Sequence, residues 1–185
     1  IARVQWSNWR VLGIVHNSMD YKDSERYGDA FFFQGLCVFR FDSPLLFMNV
    51  ERFRNCVDKA LSQWERSDEY RAYSIELDYS HEEKHSQVHF IIDCSGVTSI
   101  DFMGVSTLKE VYLDLKTRNV EVYFAASKAP VRELFAKCGF YATVAKENFY
   151  PTIRDAVAIA RLRQNKNNSD DLASVVSSDV TTVTP

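Results

Sequence analysis

VHFIIDCSGVTSIDFMGVSTLKEVYLDLK, residues 88–116, is the stretch on which the fold turns. Val88, His89, Phe90, Ile91 and Ile92 form a short, nearly continuous apolar run, the pattern of a strand covered on both faces. It reads as the central strand. Ser95 and Gly96 break it, and Asp101 can accept a backbone N–H as N-cap of the next helix. Val105, Leu108, Val111, Tyr112 and Leu115 recur at helical spacing, so one stripe of that helix is expected on the sheet. Between strand and helix, Asp93 to Asp101 becomes a loop at a helix N-terminus, where backbone donors and the positive end of the dipole face outward.

Working outward from this centre, strands and helices alternate. Leu36 to Phe41 (LCVFRF) reads as a strand, Asp42, Ser43 and Pro44 as a turn, and Leu45 to Met48 as a second strand completing a hairpin or tight bend. Asn49 can cap a helix over 50–65, whose buried stripe is Val50, Phe53, Val57, Ala60, Leu61 and Trp64. Residues 66–87 are polar and charged and read as an exposed connection. Downstream, Val120 to Ala125 alternates like a half-covered strand. Ser127 is expected to cap a short helix with Pro130 in its first turn, Val131, Leu134, Phe135 and Cys138 inward, and Gly139 as its left-handed stop. Asn148 is expected to cap a last helix beginning near Tyr150 and Pro151, with Ile153, Val157 and Ala160 inward.

The expected organisation is a lead-in over residues 1–8, one α/β domain over 9–163 with a variable stretch at 66–87, and a tail over 164–185. The tail is rich in Asn, Ser, Asp and Thr, with too little apolar surface to offset chain entropy, and reads as disordered. No internal repeat is visible. The lead-in carries Trp6, Trp9, Val11 and Leu12, apolar groups that need covering, either by their own domain or by another protein.

Composition narrows the function classes. The chain has 185 residues, 46% of them hydrophobic, enough to fill one core. Its 22 basic and 25 acidic residues give a net charge of −3, without the basic surplus of a nucleic-acid binder. No apolar run approaches the roughly 20 residues that cross a bilayer, and IARVQWSNWR at the N-terminus lacks a signal-peptide core. Cys37, Cys56, Cys94 and Cys138 are scattered without a CxxC, which reads as reduced, mostly buried thiols in a cytosolic setting.

The chemical candidates are few. His81, Glu82 and His85 satisfy HExxH, the spacing that places two imidazoles on one helix face for zinc. Here the motif lies in a short polar connector that cannot hold ligands rigid, and Gly104 and Val105 stand where a third ligand would fall. Cys94 is a conceivable nucleophile, but His89 is about 17 Å away along an extended strand and projects from the other face. Asp93 and Asp101 are accounted for as strand terminator and helix cap. Gly96, Gly104 and the helix N-terminus could offer N–H groups to an anion, although no P-loop or dinucleotide fingerprint is present and no basic side chain lies between Asp93 and Ser106. Phe102 and Met103 either form a contact patch for another protein or tuck inward. No catalytic residue, metal or cofactor is expected.

Three ordered blocks carry a resemblance: FRFDSPLLFMNVERFRNCV at 39–57, FIIDCSGVTSIDFMGVSTLKEV at 90–111 and VYFAASKAPVRELFAKCGF at 122–140. Together they resemble the cytosolic STAS domain of the SulP sulfate-permease family of anion transporters and exchangers. RVLGIV at 10–15 resembles the juxtamembrane lead-in that joins the last membrane helix to that domain. The resemblance covers roughly residues 10–163 and implies the STAS fold, a mixed β-sheet with helices packed mainly on one face. It implies a regulatory and assembly domain serving dimerisation and trafficking, on the cytoplasmic face of the plasma membrane, which transports nothing by itself. The implied partners are the membrane domain of the same transporter, a second copy of itself and further regulatory proteins; the transported anions would be of the sulfate, chloride, bicarbonate and oxalate class. Ser95, Gly96, Thr98, Asp101, Phe102, Met103 and Gly104 would form the partner- or anion-facing loop, and Trp6, Trp9, Val11 and Leu12 the assembly interface. STAS domains also occur in bacterial anti-sigma-factor antagonists, where a serine directly after the loop aspartate is phosphorylated; Asp101 and Gly104 match that pattern, but the serine position holds Phe102. The competing classes are therefore a transporter's regulatory domain, a free-standing STAS signalling module, and a zinc hydrolase using His81 and His85.

Overall fold

A computed structural model describes residues 8–15, 20–24, 26, 30–76 and 87–179, with the backbone alone at 30, 67–76 and 167–179. The expected central strand, Val88–Asp93, is the fourth of six along the main sheet path. Numbered in chain order, the strands are β1 (Asn8–Val15), β2 (Tyr21–Asp23), β3 (Ala30–Phe31), β4 (Leu36–Asp42), β5 (Val88–Asp93), β6 (Val120–Ala125) and β7 (Phe149–Tyr150). They form one seven-stranded sheet of order β2-β1-β4-β5-β6-β7, with β3 also paired to β1. β1 is antiparallel to β2, β3 and β4, whereas β4, β5, β6 and β7 run parallel. The sheet is mixed, and its parallel half is covered on both faces, as βαβ connections require.

The helices are α1 (Val50–Glu76), α2 (Phe102–Thr117), α3 (Ala129–Lys137) and α4 (Ile153–Asp179). The first three lie on one face, where Phe53, Leu61 and Trp64 of α1, Val105 and Leu108 of α2 and Phe135 of α3 meet Phe39, Phe90, Ile92 and Phe124 of the sheet. The other face carries α4 alone, with Ala156, Val157 and Ala160 on Leu36, Val38, Ile91 and Tyr123. This is the α/β STAS arrangement anticipated from the sequence, with helices mainly on one face.

Local expectations hold where periodicity is strong. Every stripe residue named for the helices following β4 and β5 is buried. Asn49 stands at the N-cap position of α1, its carbonyl accepting from Phe53 N, while its side chain ties the incoming turn to Leu46 N and Pro44 O. Gly139 ends α3 with φ +62°, a conformation that glycine adopts without strain.

Several expectations are corrected. Leu45 to Met48 does not form a strand. Leu45 makes one parallel bridge to Ile100, because its N–H donates to Ser99 O and its carbonyl accepts from Asp101 N. The loop after β5 thus takes the backbone groups that a hairpin would have used, and β4 pairs with β1 instead, Asn8 opposite Asp42. α1 continues past residue 65 to Glu76; RSDEYRAYSIE holds neither Gly nor Pro, and an established helix propagates easily through such residues. β6 is covered on both faces, since Tyr123 and Ala125 are buried beneath α4.

Helix starts also differ. Ser127 lies one residue too early to cap α3, whose N-cap is Lys128 without a side-chain bond. Thr152, rather than Asn148, opens α4: its Oγ1 accepts from Asp155 N and donates to Asp155 Oδ2, a reciprocal arrangement like a capping box. Asn148 is buried in a 3-10 turn over Lys146–Asn148. α4 then runs to Asp179, through the first part of the tail that its composition suggests is disordered; residues 164–179 lack Gly and Pro.

Candidate functional site

The loop between β5 and α2 is held by two aspartates. Asp93, buried at the end of β5, caps the 3-10 turn Cys94–Gly96: its Oδ1 accepts from Ser95 N at 2.9 Å and its Oδ2 from Ser95 Oγ at 3.0 Å. Oδ2 also accepts from Arg40 Nε on β4, where Arg40 is in register with Asp93. Asp101 joins two distant segments. Its Oδ1 accepts from Gly104 N at 2.8 Å as the N-cap of α2, and its Oδ2 accepts from Phe47 N at 2.8 Å.

Gly96 and Gly104 serve close packing. A Cβ on Gly96 would lie 2.4 Å from Phe41 O, and one on Gly104 would lie 2.4 Å from Leu45 O. Both glycines let the loop press against the chain leaving β4. The Gly104 N–H is already spent on Asp101, so this turn does not present it to an anion. Val97 is buried, while Thr98 and Ser99 are exposed at the loop tip.

The first turn of α2, by contrast, presents apolar side chains outward. Phe102 is 68% exposed and Met103 49%, so the side chains that could have tucked inward face solvent. Beside them stand Phe47, 66% exposed, and Met48, 37% exposed; the Phe47 N–H is bonded to the residue that precedes Phe102. Sequence reading missed Phe47 and Met48 by assigning them to a strand. The available signal was two large apolar residues between a Pro-containing turn and a helix cap, where no core position is due.

The lead-in differs from its expectation. Leu12 is 1% exposed and belongs to the core beneath α4, so it cannot be an exposed contact. Trp9 and Val11 are half-buried against the opposite core, Trp9 with its ring centroid 6.2 Å from Phe39. The physical reason is register: β1 pairs along β4 from Asn8 to Leu12, which turns alternate side chains onto the two faces of its own sheet. Trp6 lies outside the described residues.

Among the described residues, no enzymatic candidate is assembled. Cys94 is buried, its thiol pushed up to about 12 chiefly by burial, partly offset by Ser127 and reinforced by the Asp93 charge, so the nucleophilic thiolate is suppressed. Burial likewise raises the Cys37 thiol. All four cysteines are free thiols. His81 and His85 lie outside the described residues, and among the described residues no His, Cys, Asp and Glu side chains gather in a metal-binding group. A cavity of about 660 Å³ opens at the ends of β4 and β5, lined by Asp20, Lys22, Arg40, Asp93, Arg154 and Asp155 among others. Its cations and carboxylates balance, with Arg40 paired to Asp93 and Lys22 to Asp20. Among the described residues, no helix is long and apolar enough to cross a membrane.

Comparison with known proteins agrees with this geometry. The STAS domain family profile matches residues 27–156. The chain is 28% identical over 181 residues to Sulfate permease family protein 3 of Caenorhabditis elegans, covering 86% of the chain and 23% of that relative. It superposes on the murine Solute Carrier 26 family member A9 anion transporter with TM-score 0.68 and 23% identity, over 87% of this chain and 23% of that one. An anti-sigma factor antagonist from Thermotoga maritima shares the fold at TM-score 0.51 and 13% identity, over 71% of this chain and 92% of its own. The chain spans about a quarter of the length of the curated relatives it matches.

Proposed function

The chain belongs to the STAS domain family, and from that premise we propose that it is the regulatory and assembly domain of an anion transporter or exchanger of the sulfate-permease kind. Its partners are the membrane-embedded part of the same polypeptide and a second copy, at the cytoplasmic face of the plasma membrane. The observation that carries this reading is the apolar patch of Phe47, Met48, Phe102 and Met103 around Asp101. Four large exposed apolar side chains gathered at one end of a domain mark a contact surface more than a solvated one. Covering them would contribute on the order of 1 kcal/mol each by apolar area.

The path of the chain supports the same partner. β1 runs antiparallel to β4, with Asn8 opposite Asp42, so its beginning lies at the end of the sheet that carries Phe47. A membrane part attached through the lead-in would therefore sit nearest this patch. Such a domain biases transport only if it contacts the membrane part's conformational states unequally.

The test is the full-length transporter carrying Phe47→Asp and Phe102→Asp together. The expected result is anion flux reduced several-fold or more, with the protein still present in the membrane and the isolated domain still folded. Unchanged flux and unchanged dimer crosslinking would reject this surface as the contact. A second reading, a free-standing signalling module, draws on the fold shared with the anti-sigma factor antagonist. Phe102 has no hydroxyl to phosphorylate where that switch would require one, which favours the transporter reading.

A further inference from the structure

On the opposite side of the sheet from the aromatic core, beneath α4, lies a histidine that the docking role does not use. His89 is wholly buried. Its Nδ1 is 2.9 Å from the Tyr123 hydroxyl, with the two rings stacked at a centroid distance of 5.8 Å. Its Nε2 is buried and has no hydrogen-bond partner among the described residues. Above this pair, Arg163 of α4 sets its guanidinium 5.3 Å from the centre of the Tyr123 ring, and its Nη1 reaches Asn148 Oδ1 at 3.4 Å.

We propose that His89 is a proton-operated latch: the neutral imidazole lets α4 lie on the sheet, and an imidazolium there lifts the stretch from Ala156 to Arg163 away. A neutral ring satisfies Tyr123 through one nitrogen and can leave the other as an unprotonated acceptor, the cheaper group to leave bare. Protonation makes both nitrogens donors, and the second N–H then points into a site with no acceptor while a full charge is buried.

The surrounding charges do not rescue it. From α4, Arg163 repels an imidazolium. From β6, Glu121 stands in register with His89 and attracts one, but its Oε1 is already engaged by Lys116 of α2 and by Gln87 at 3.4 Å. β4 offers Leu36 at the paired position, and Tyr150 of β7 sets its ring 6.1 Å from that of Tyr123, tilted by 51°. Of the elements packed around the ring, α4 yields most readily. β4 and β6 are fixed by ladders to β5, whereas α4 is seated by the small side chains Ala156, Val157 and Ala160 and by side-chain contacts of Arg161, Arg163 and Gln164.

Burial holds the His89 imidazole below its ordinary range, with Arg163 adding to the shift and Glu121 opposing it. A base depressed in the docked state stays neutral there while it would already be charged in the undocked state. Docking is therefore full above the ordinary imidazole pKa of about 6.5 and weakens as pH falls below it.

Hydrogen–deuterium exchange of the 185-residue chain at pH 7.5 and pH 5.5, corrected for intrinsic exchange rates, tests this directly. Amides over 153–166 should lose protection several-fold at pH 5.5, towards a ceiling of about tenfold set by an exposed imidazole, while β5 and α2 keep theirs. His89→Asn, which retains a hydrogen-bonding group for Tyr123 but cannot titrate, should make α4 protection independent of pH in this range. Equal acid loss in His89→Asn, no loss in the unaltered chain, or loss spread evenly over α2 would each overturn the proposal. Should His89→Asn not fold, NMR titration of the unaltered chain decides. A His89 pKa below the ordinary range, with α4 amides moving along the same curve, supports the latch; a pKa at or above 6.5 ends it.

Discussion

The two faces of the sheet are built from different materials. On the face covered by α1, α2 and α3, large rings interlock: Phe135 and Phe140 stack at 4.4 Å, Phe124 and Phe149 at 5.1 Å, and Phe41 meets Phe53 edge-on at 5.1 Å. On the face under α4, the helix contributes two alanines and a valine to the buried contact, and the sheet contributes Leu36, Val38, Ile91 and Tyr123, with His89 buried beside Tyr123. Dense aromatic packing couples elements to one another, so disturbing one is felt by all. Under the latch proposed at His89, the thinner packing lets α4 respond alone. On that proposal, stability and the response to protonation sit on opposite sides of the same strands.

The largest expected effect comes from breaking the dense face. Phe124 is wholly buried on β6 and contacts Tyr112, Phe140 and Phe149. Phe124→Ala should cost about 3–5 kcal/mol, a large part of a domain's typical 5–15 kcal/mol. Urea unfolding should show a single transition moved to much lower concentration, with every probe moving together. Early loss of α4 alone in this variant would contradict the proposed division of labour.

Next in size is the junction at Asp101, which joins the dense face to the exposed apolar residues around Phe47 and Phe102. Asp101→Ala removes the α2 cap and the acceptor for Phe47 N in one step; the expected loss is about 1–2 kcal/mol. Asp101→Asn can keep the Gly104 N–H with its one amide oxygen but turns an NH2 donor toward the Phe47 N–H, so it should recover only the cap's share of the loss. Thermal melting reads both, at about 2–4 °C per kcal/mol for a chain of this size. Full recovery in Asp101→Asn would mean that the bond to Phe47 N contributes nothing to the junction.

The dense face was legible from sequence because its signals are local. Val105, Leu108, Val111, Tyr112 and Leu115 recur at 3.6-residue spacing, and Asp101 announces its helix three residues ahead of the N–H it accepts. The rest was less legible because its signals are distant or weak. Leu45 to Met48 reads as a strand until the loop at 99–101, more than fifty residues on, claims the backbone of Leu45, and with that strand goes the exposure of Phe47 and Met48. Tyr123 reads as the open side of an alternating strand until α4 covers it. Leu12 reads as an interface residue because its own partners, on β4 and under α4, are known only once the strands are paired. Polar helical extensions such as 66–76 carry the composition of loops, and only continuity with a packed helix makes them helical.

The smallest effect is the one that best separates the two faces. Ala160 is wholly buried at the contact of α4 with the sheet, and Ala160→Gly removes one methyl group and loosens the helix backbone, at about 1 kcal/mol. If α4 is an independently yielding element, this cost appears as faster amide exchange over α4 while the urea midpoint of the remaining domain moves little. If α4 is instead locked into the same cooperative unit as the aromatic core, the same substitution lowers the global midpoint by its full cost and leaves local exchange in α4 no faster than elsewhere. A latch at His89 requires the first outcome, because a helix that can leave only when the whole domain unfolds cannot report one proton.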